Sequence, residues 1–358
     1  MRLLVLLVSE PFFQPKENPM AEAHRAGEPS ARARPALRLV KPQDFRKLDR
    51  AQWLDVRKQG IGGSDAAAAI GMSPYTSPLE LWLDKTGRDA DLPKIDPNDE
   101  TSPMYWGTLL EPIVAAHYTR RTGHKVRRIN AVLQHPDHPW MLANLDREVL
   151  GAPDVQILEC KTAGYHGARL WEDGVPEHIQ LQVMHQLAVT GKQAADVAVL
   201  ICGQELRIYR IERDDELITK LIQLEARFWR HVETDTAPPA DGSESAALAL
   251  KALWPRDSGT VLDLADDLEF GGAFADLLAL RQTIAEAEQQ QEILRQRIQQ
   301  RMGEATVARF DGGEVRWKRS KDGTALDVDR LLADHPELLA TYGIPKAGTR
   351  RFTVKEQS

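Results

Sequence analysis

The sequence lacks several features, and each lack narrows what it can be. Only two cysteines, Cys160 and Cys202, occur in 358 residues, and no cysteine–histidine spacing suggests zinc. A disulfide framework is excluded, and a reducing cytosol is the expected setting. No G-x-x-x-x-G-K-[ST] loop is present, which argues against a nucleotide-driven ATPase. No apolar run suggests a membrane span: Met1 to Val8 is apolar but short, and it lacks a small-residue cleavage site. An excess of positive charge is also missing. The formal net charge is −7, so bulk charge does not advertise a nucleic-acid binder.

What is present is the composition of a soluble globular protein, 42% hydrophobic and 28% charged. The length suits about two domains plus tails. Residues 1–48, rich in Pro, Ala, Glu and Arg without periodicity, are expected to be a disordered leader. A core is expected over 49–240 and an extension over 241–358. Charge placement matters more than its sum. From Pro112 to Pro136 there is no acid, while Arg120, Arg121, Lys125, Arg127 and Arg128 cluster there.

The informative stretch is Trp140 to Gly164. Met141 to Leu150 reads as one strand with Asp146 at its centre, Gly151 to Asp154 as a turn, and Val155 to Thr162 as a second strand. Side chains two apart share a strand face, so Val155, Ile157, Glu159 and Lys161 are expected to point one way. Mg²⁺ takes hard oxygen ligands and commonly one or two carboxylates plus phosphate and water. Asp146 and Glu159, from neighbouring strands, suit that need. Lys161 would orient or deprotonate water, or steady charge on phosphorus. Glu-x-Lys alone is equally a common surface pair.

Two flanking stretches carry further candidates. In RKQGIGGSDAAAAIG, from Arg57, Ser64 reads as the N-cap of a helix over 65–70. Gly60, Gly62 and Gly63 allow close backbone approach. This is either an ordinary capped helix or a phosphate seat with Arg57 and Ser64 as donors. In MYWGTLLEPIVAAHYTRRTG a helix is expected to start near 108–110, with Pro112 in its first turn and Leu110, Val114 and His117 as its stripe. Glu111 there is either a dipole-compensating acid or a third metal carboxylate. Residues 176–191 form a marked helix whose Gln182, His185 and Gln186 share a face, with His185 read as packing or hydrogen bonding. A hairpin over 196–211 and a helix over 215–233 follow. The extension is expected to hold a coiled-coil-like helix over about 270–303, with Phe270, Leu277, Ile284, Gln291 and Ile298 at heptad spacing. A small hairpin and a basic tail complete it.

Together, Arg57 with GIGGSDAAAAIGMSPYTSPLELWLDKTG, WGTLLEP around Glu111, Asp146, ECK at Glu159 to Lys161, and QVMHQLAVTG from Gln182 resemble the YqaJ-like viral recombinase family. That family is related to phage lambda exonuclease within the PD-(D/E)xK nucleases. The resemblance implies an α/β fold with a restriction-endonuclease-like core, a mixed central sheet flanked by helices. It implies Glu111, Asp146, Glu159 and the Cys160 carbonyl as ligands of Mg²⁺, with Mn²⁺ as a substitute. Lys161 becomes the catalytic lysine and Gln182 its positioning partner. Arg57, Ser64 and Gly63 would grip a 5′-phosphate, and Arg120 and Arg121 would touch DNA. Asp146 is not preceded by Pro, so Asp154, after Pro153, is a rival by spelling. Asp146 is preferred because Asp154 lies in the turn.

The function so implied is a 5′→3′ exonuclease acting on double-stranded DNA ends in phage-type recombination. A ring-shaped homotrimer and a partner single-strand annealing protein are implied with it. The alternatives are a structure-specific or restriction-type endonuclease of the same fold, or a non-catalytic DNA-end adaptor. The adaptor would be marked by loss of an acid or the lysine, and all are present.

Overall fold

The computed structural model describes residues 35–40, 49–94, 96–346 and 348–356. Most of the expected leader, 1–34 and 41–48, lies outside the described residues. Within the remainder, β1 (Leu37–Arg38) pairs with β3 (Leu133–Gln134). The chain divides into two compact units, at Pro255 and Arg256.

Helix α1 (Arg50–Lys58) starts where Asp49 and Gln52 cap each other reciprocally. Next, α2 (Ala66–Ala69) is entered through a 3₁₀ turn over Gly63–Asp65. Ser64 is therefore not the cap; it lies within that turn, and Asp65 reaches back to the Gly62 amide instead. Ser77 caps α3 (Pro78–Lys85), with Pro at its first position.

Helix α4 (Pro103–Thr122) begins earlier than expected, because Ser102-Pro103 is itself a cap followed by a helix-starting proline. Pro112 consequently sits in the helix interior, on an exposed face where water can satisfy the freed carbonyl. The buried stripe is Val114, Ala115 and Tyr118, while Ile113 and His117 face outward.

Five strands make the central sheet in the order β2-β5-β6-β7-β8. They are β2 (Lys125–Arg127), β5 (Arg147–Leu150), β6 (Ile157–Ala163), β7 (Ala194–Ile201) and β8 (Glu205–Glu212), with β6 and β7 parallel and the other pairs antiparallel. β1, β3 (Leu133–Gln134) and β4 (Leu142–Ala143) form a small antiparallel sheet. The expected single strand over 141–150 is thus broken: β4 and β5 belong to different sheets, and Asp146 lies in the bend between them.

The sheet is sandwiched. Ile157 and Ala163 of β6 pack with Leu181, Met184 and Leu187 of α5 (Glu177–Thr190) on one face. Leu158 and Cys160 pack with Val114, Ala115 and Tyr118 of α4 on the other. Each such fully buried aliphatic side chain contributes about 1.5–3 kcal/mol. Val155 precedes β6 and packs with the α4 side, so it does not share the Glu159 face. Behind α5 runs α6 (Asp215–Glu233). Helix α7 (Glu244–Leu253) docks on α3, Ser245 bonding Ser77 and Glu80. The first unit therefore extends to Pro255, not 240.

The second unit holds α8 (Leu268–Met302), the antiparallel hairpin β9 (Val307–Phe310) and β10 (Gly313–Arg316), α9 (Val328–Asp334) and α10 (Glu337–Tyr342). Of the heptad residues, Phe270, Ile284 and Gln291 are exposed, and Leu277 and Ile298 are half-buried. Among the described residues no helix is long and apolar enough to cross a membrane.

Candidate active site

The central sheet forks at Asp146. β5 pairs with β6 only at Arg147↔Leu158 and Glu148↔Ile157, and the chain leaves the sheet just before them. The next amide on that edge of β6, Cys160 N–H, has lost its strand partner, and the Asp146 carboxylate accepts it at 2.8 Å. A strand residue's amide and carbonyl point to the same side, so the Cys160 carbonyl also faces the fork.

Glu159 and Lys161 share the face of β6 that looks onto α5. Glu159, 3% exposed, is bonded through both oxygens. Oε1 accepts from Lys161 Nζ at 2.7 Å and Gln182 Nε2 at 2.6 Å, and Oε2 accepts from Gln186 Nε2 at 2.9 Å. Lys161 also donates to Gln182 Oε1 at 2.9 Å. Gln182 and Gln186 are one helical turn apart, which is why one helix face clamps both ends of a carboxylate. The rotation of α5 is fixed by His185, buried between Glu225 at 2.8 Å and the Leu142 carbonyl at 2.9 Å. Burial works against charge on this ring, but Glu225 outweighs it and raises the pKa. Hydrogen-bonded at both nitrogens, the ring is a structural bolt, as expected.

Charge in the fork is incompletely balanced. Burial first, and the Glu159 carboxylate second, push Asp146 up to about 8, with Glu111 adding to the push and the Cys160 amide and Lys161 offsetting part of it. Burial also acts against the Lys161 ammonium, yet Glu159 and Asp146 outweigh it and hold its pKa above the ordinary lysine value. Lys161 is thus charged at neutral pH. Burial and the same acids raise the Cys160 thiol, so its sulfur stays protonated and the carbonyl is the donor to consider.

Glu111 does not join the pair directly. It sits in the middle of α4, not at its N-terminus, and meets Arg147 Nη1 at 2.5 Å. Arg147 also donates to the Asp146 carbonyl, so it stands between Glu111 and the fork. Among the described residues, no three His, Cys, Asp or Glu stand close enough together to hold a metal ion. The reason is local: Glu159 is turned to Lys161 and two glutamines, and Glu111 to Arg147. The donor chemistry nevertheless fits a hard divalent cation. Asp146 and Glu159 offer oxygens whose mutual repulsion a cation would relieve. Gln186 Oε1 beside them is buried with no partner among the described residues.

Arg57 and Ser64 do come together, at 2.9 Å. The anion at that seat is the chain's own Asp65, bound by Arg57 at 2.9 Å, Lys85 at 2.7 Å and the Gly62 amide at 3.0 Å. The Gly62 amide at the start of this turn is therefore already used. Burial favours protonation of Asp65, but Lys85 and Arg57 hold its carboxyl well below the usual carboxylate range. Gly63 lies against α5: a Cβ there would stand 3.2 Å from Gln186 Cγ and 3.4 Å from Gln182 Cγ. This ties the Arg57 loop to the clamp on Glu159.

Arg120 and Arg121 lie in the last turn of α4, where they complement the helix dipole, and Arg121 donates to the Leu206 carbonyl. Neither is bonded to the fork. Asp154 is exposed in the turn and paired with Arg210 at 3.0 Å, which removes it as a rival to Asp146. Sequence reading missed Arg147 as the partner of Glu111 and Lys85 as the partner of Asp65. The second had a signal, since Lys85 falls four residues after Leu81 on the buried side of α3.

A mixed sheet forked at an acid, a Glu-x-Lys strand and a glutamine-bearing helix make up the α/β core expected from the sequence. A model of the YqaJ-like viral recombinase domain matches residues 52–193. The uncharacterized protein YqaJ of Bacillus subtilis (strain 168) is 37% identical over 320 residues, covering 87% of this chain and 96% of that protein. The chain belongs to the YqaJ-like viral recombinase family. Among solved structures, it is similar to an alkaline exonuclease (LHK-Exo) from Laribacter hongkongensis at 23% identity and TM-score 0.41, over 52% of this chain and 93% of that one. It is also similar to a phage related exonuclease from Haemophilus somnus 129PT at 10% identity and TM-score 0.35, over 49% and 96%.

Proposed function

We propose that this chain is a divalent-metal-dependent exonuclease. It degrades the 5′ strand from ends of linear double-stranded DNA and leaves 3′ single-stranded overhangs. The observation that carries this reading is the under-neutralised pair of Asp146, pushed up to about 8, and Glu159 beside the charged Lys161. Asp146, Glu159 and the Cys160 carbonyl would hold Mg²⁺, or Mn²⁺ in its place, and Glu111 would join by giving up Arg147. When bound there, the ion supplies Lewis-acid neutralisation of phosphate oxygens and acidifies water.

The chain's own groups do the rest. A charged Lys161 donates rather than accepts: it orients the water and steadies negative charge building on the phosphate, and it is not the base. Gln182 keeps Lys161 and Glu159 at fixed spacing through its two hydrogen bonds. Arg57 and Ser64 grip the terminal 5′-phosphate, with Asp65 behind them orienting the guanidinium. On the same reading, the protein acts in the cytoplasm as a ring-shaped homotrimer around duplex DNA. It passes the exposed 3′ strand to a single-strand annealing protein in phage-type recombination.

The test is digestion of end-labelled linear duplex carrying 5′-phosphate or 5′-hydroxyl, with Mg²⁺ or with a chelator. Mg²⁺-dependent loss of the 5′-phosphorylated strand is expected. Equal cutting of covalently closed circles would make the protein an endonuclease. Binding without cleavage would make it an adaptor.

A further inference from the structure

The second unit carries a surface that the nuclease reading does not use. Between the last turns of α8 and the hairpin lies a groove of about 600 Å³, lined by Leu294, Ile298, Met302, Ala308 and Phe310 and rimmed by Arg297, Arg301 and Arg309. Arg297 and Arg301 are one turn apart, so both project from the helix face that forms the groove wall. Among the described residues neither makes an ion pair, and Arg309 pairs with Glu314 only at 4.0 Å. The strands set the rest. Directly opposed residues share a face, so the Ala308↔Val315 pair puts Phe310 on the same side as Val315, with Trp317 two residues beyond.

Phe310 and Trp317 are 54% and 48% exposed, which leaves both ring faces of this small hairpin open to a ligand. From Arg295 to Lys321 the chain carries eight basic and three acidic residues, in a protein whose net charge is negative. An apolar floor, flat exposed rings and two arginines that make no ion pair together match one ligand chemistry. Bases stack on aromatic faces, and the phosphate backbone meets the guanidinium groups. A duplex hides its base faces and cannot use the rings.

We propose that this groove binds single-stranded DNA, Phe310 and Trp317 stacking bases while Arg297, Arg301 and Arg309 hold phosphates. The site itself stands without the nuclease reading; only the identity of the strand, the one left by digestion, rests on it.

The experiment uses the full chain carrying Lys161→Ala, so that no substrate is consumed, and measures fluorescence anisotropy of labelled oligo(dT) across a salt series. Combined Phe310→Ala and Trp317→Ala should weaken binding about tenfold or more, with recovery in the Phe310→Tyr and Trp317→Tyr forms. Arg297→Ala with Arg301→Ala should weaken it further at low salt and flatten the salt dependence by about 1.4 in logarithmic slope. Arg330→Ala, the loss of one charge on α9 outside the groove, should leave affinity within twofold. Groove variants indistinguishable from Arg330→Ala would overturn the proposal. So would tighter binding of oligo(U) than oligo(dT), or groove variants that change sedimentation instead of affinity, which would make the occupant a second copy. Failure of cleavage by the unmodified chain would strike the nuclease reading and leave this measurement standing.

Discussion

Two buried acids in the first unit titrate in opposite directions. Asp65 has Lys85, with no side-chain exposure, and Arg57 against its two oxygens, and its pKa falls well below the ordinary range. Asp146 has a backbone amide and a second acid, Glu159, close by, and it is pushed up to about 8. Burial acts the same way on both. What differs is whether the chain's own cations bond the carboxylate directly. Where it does, the acid is scaffold, orienting Arg57. Where it does not, the repulsion is left for a bound cation to resolve, and that is where hydrolysis is expected.

The contrast can be broken from either end. The largest effect should come from Lys161→Ala, which removes the cation bonded to Glu159 and Gln182. Single-turnover cleavage of linear duplex should fall about 10²–10⁴-fold while DNA binding persists. Turnover near that of the parent would remove Lys161 from the mechanism.

Next, Lys85→Met leaves Asp65 buried with Arg57 alone and should cost about 3–5 kcal/mol in urea unfolding at neutral pH. The folded pKa of Asp65 is depressed, so its contribution is present above the unfolded value near 4 and is lost as pH falls below it. The gap between parent and variant should therefore narrow in acid. A gap independent of pH would mean that the loss came from packing.

The smallest effect has the opposite sign. The folded pKa of Asp146 is raised, so the metal-free protein loses stability as pH climbs from about 4 through about 8. Asp146→Asn cannot ionise and should be more stable than the parent at pH 9, with the difference vanishing in strong acid. Mg²⁺ should stabilise the parent and not the variant. A variant less stable at pH 9 without metal would show that the fork is not strained.

Much of this was readable from residue order. Glu159 and Lys161 share a face because a strand repeats every two residues, and Gln182 and Gln186 share one because a helix repeats every three to four. Gly191 stops α5 in the left-handed conformation, where its turn signal placed it. Other features were not readable for physical reasons. Asp146 was expected inside one strand, and nothing local says that β4 and β5 part into different sheets. The start of α4 was misplaced because two prolines competed for it, and Pro103, with its Ser102 cap, won over Pro112.

Local periodicity and cap chemistry need only neighbours in the chain, so the sequence alone determined most of the elements, the acids and lysine, and the family resemblance they carry. The pairing of charges depends on side chains brought together from 20 to 40 residues away: Lys85 with Asp65, Arg147 with Glu111, Glu225 with His185. Only the packed structure could decide that one acid is neutralised and another left strained, because the electrostatic energy of a buried charge is set by what surrounds it in space.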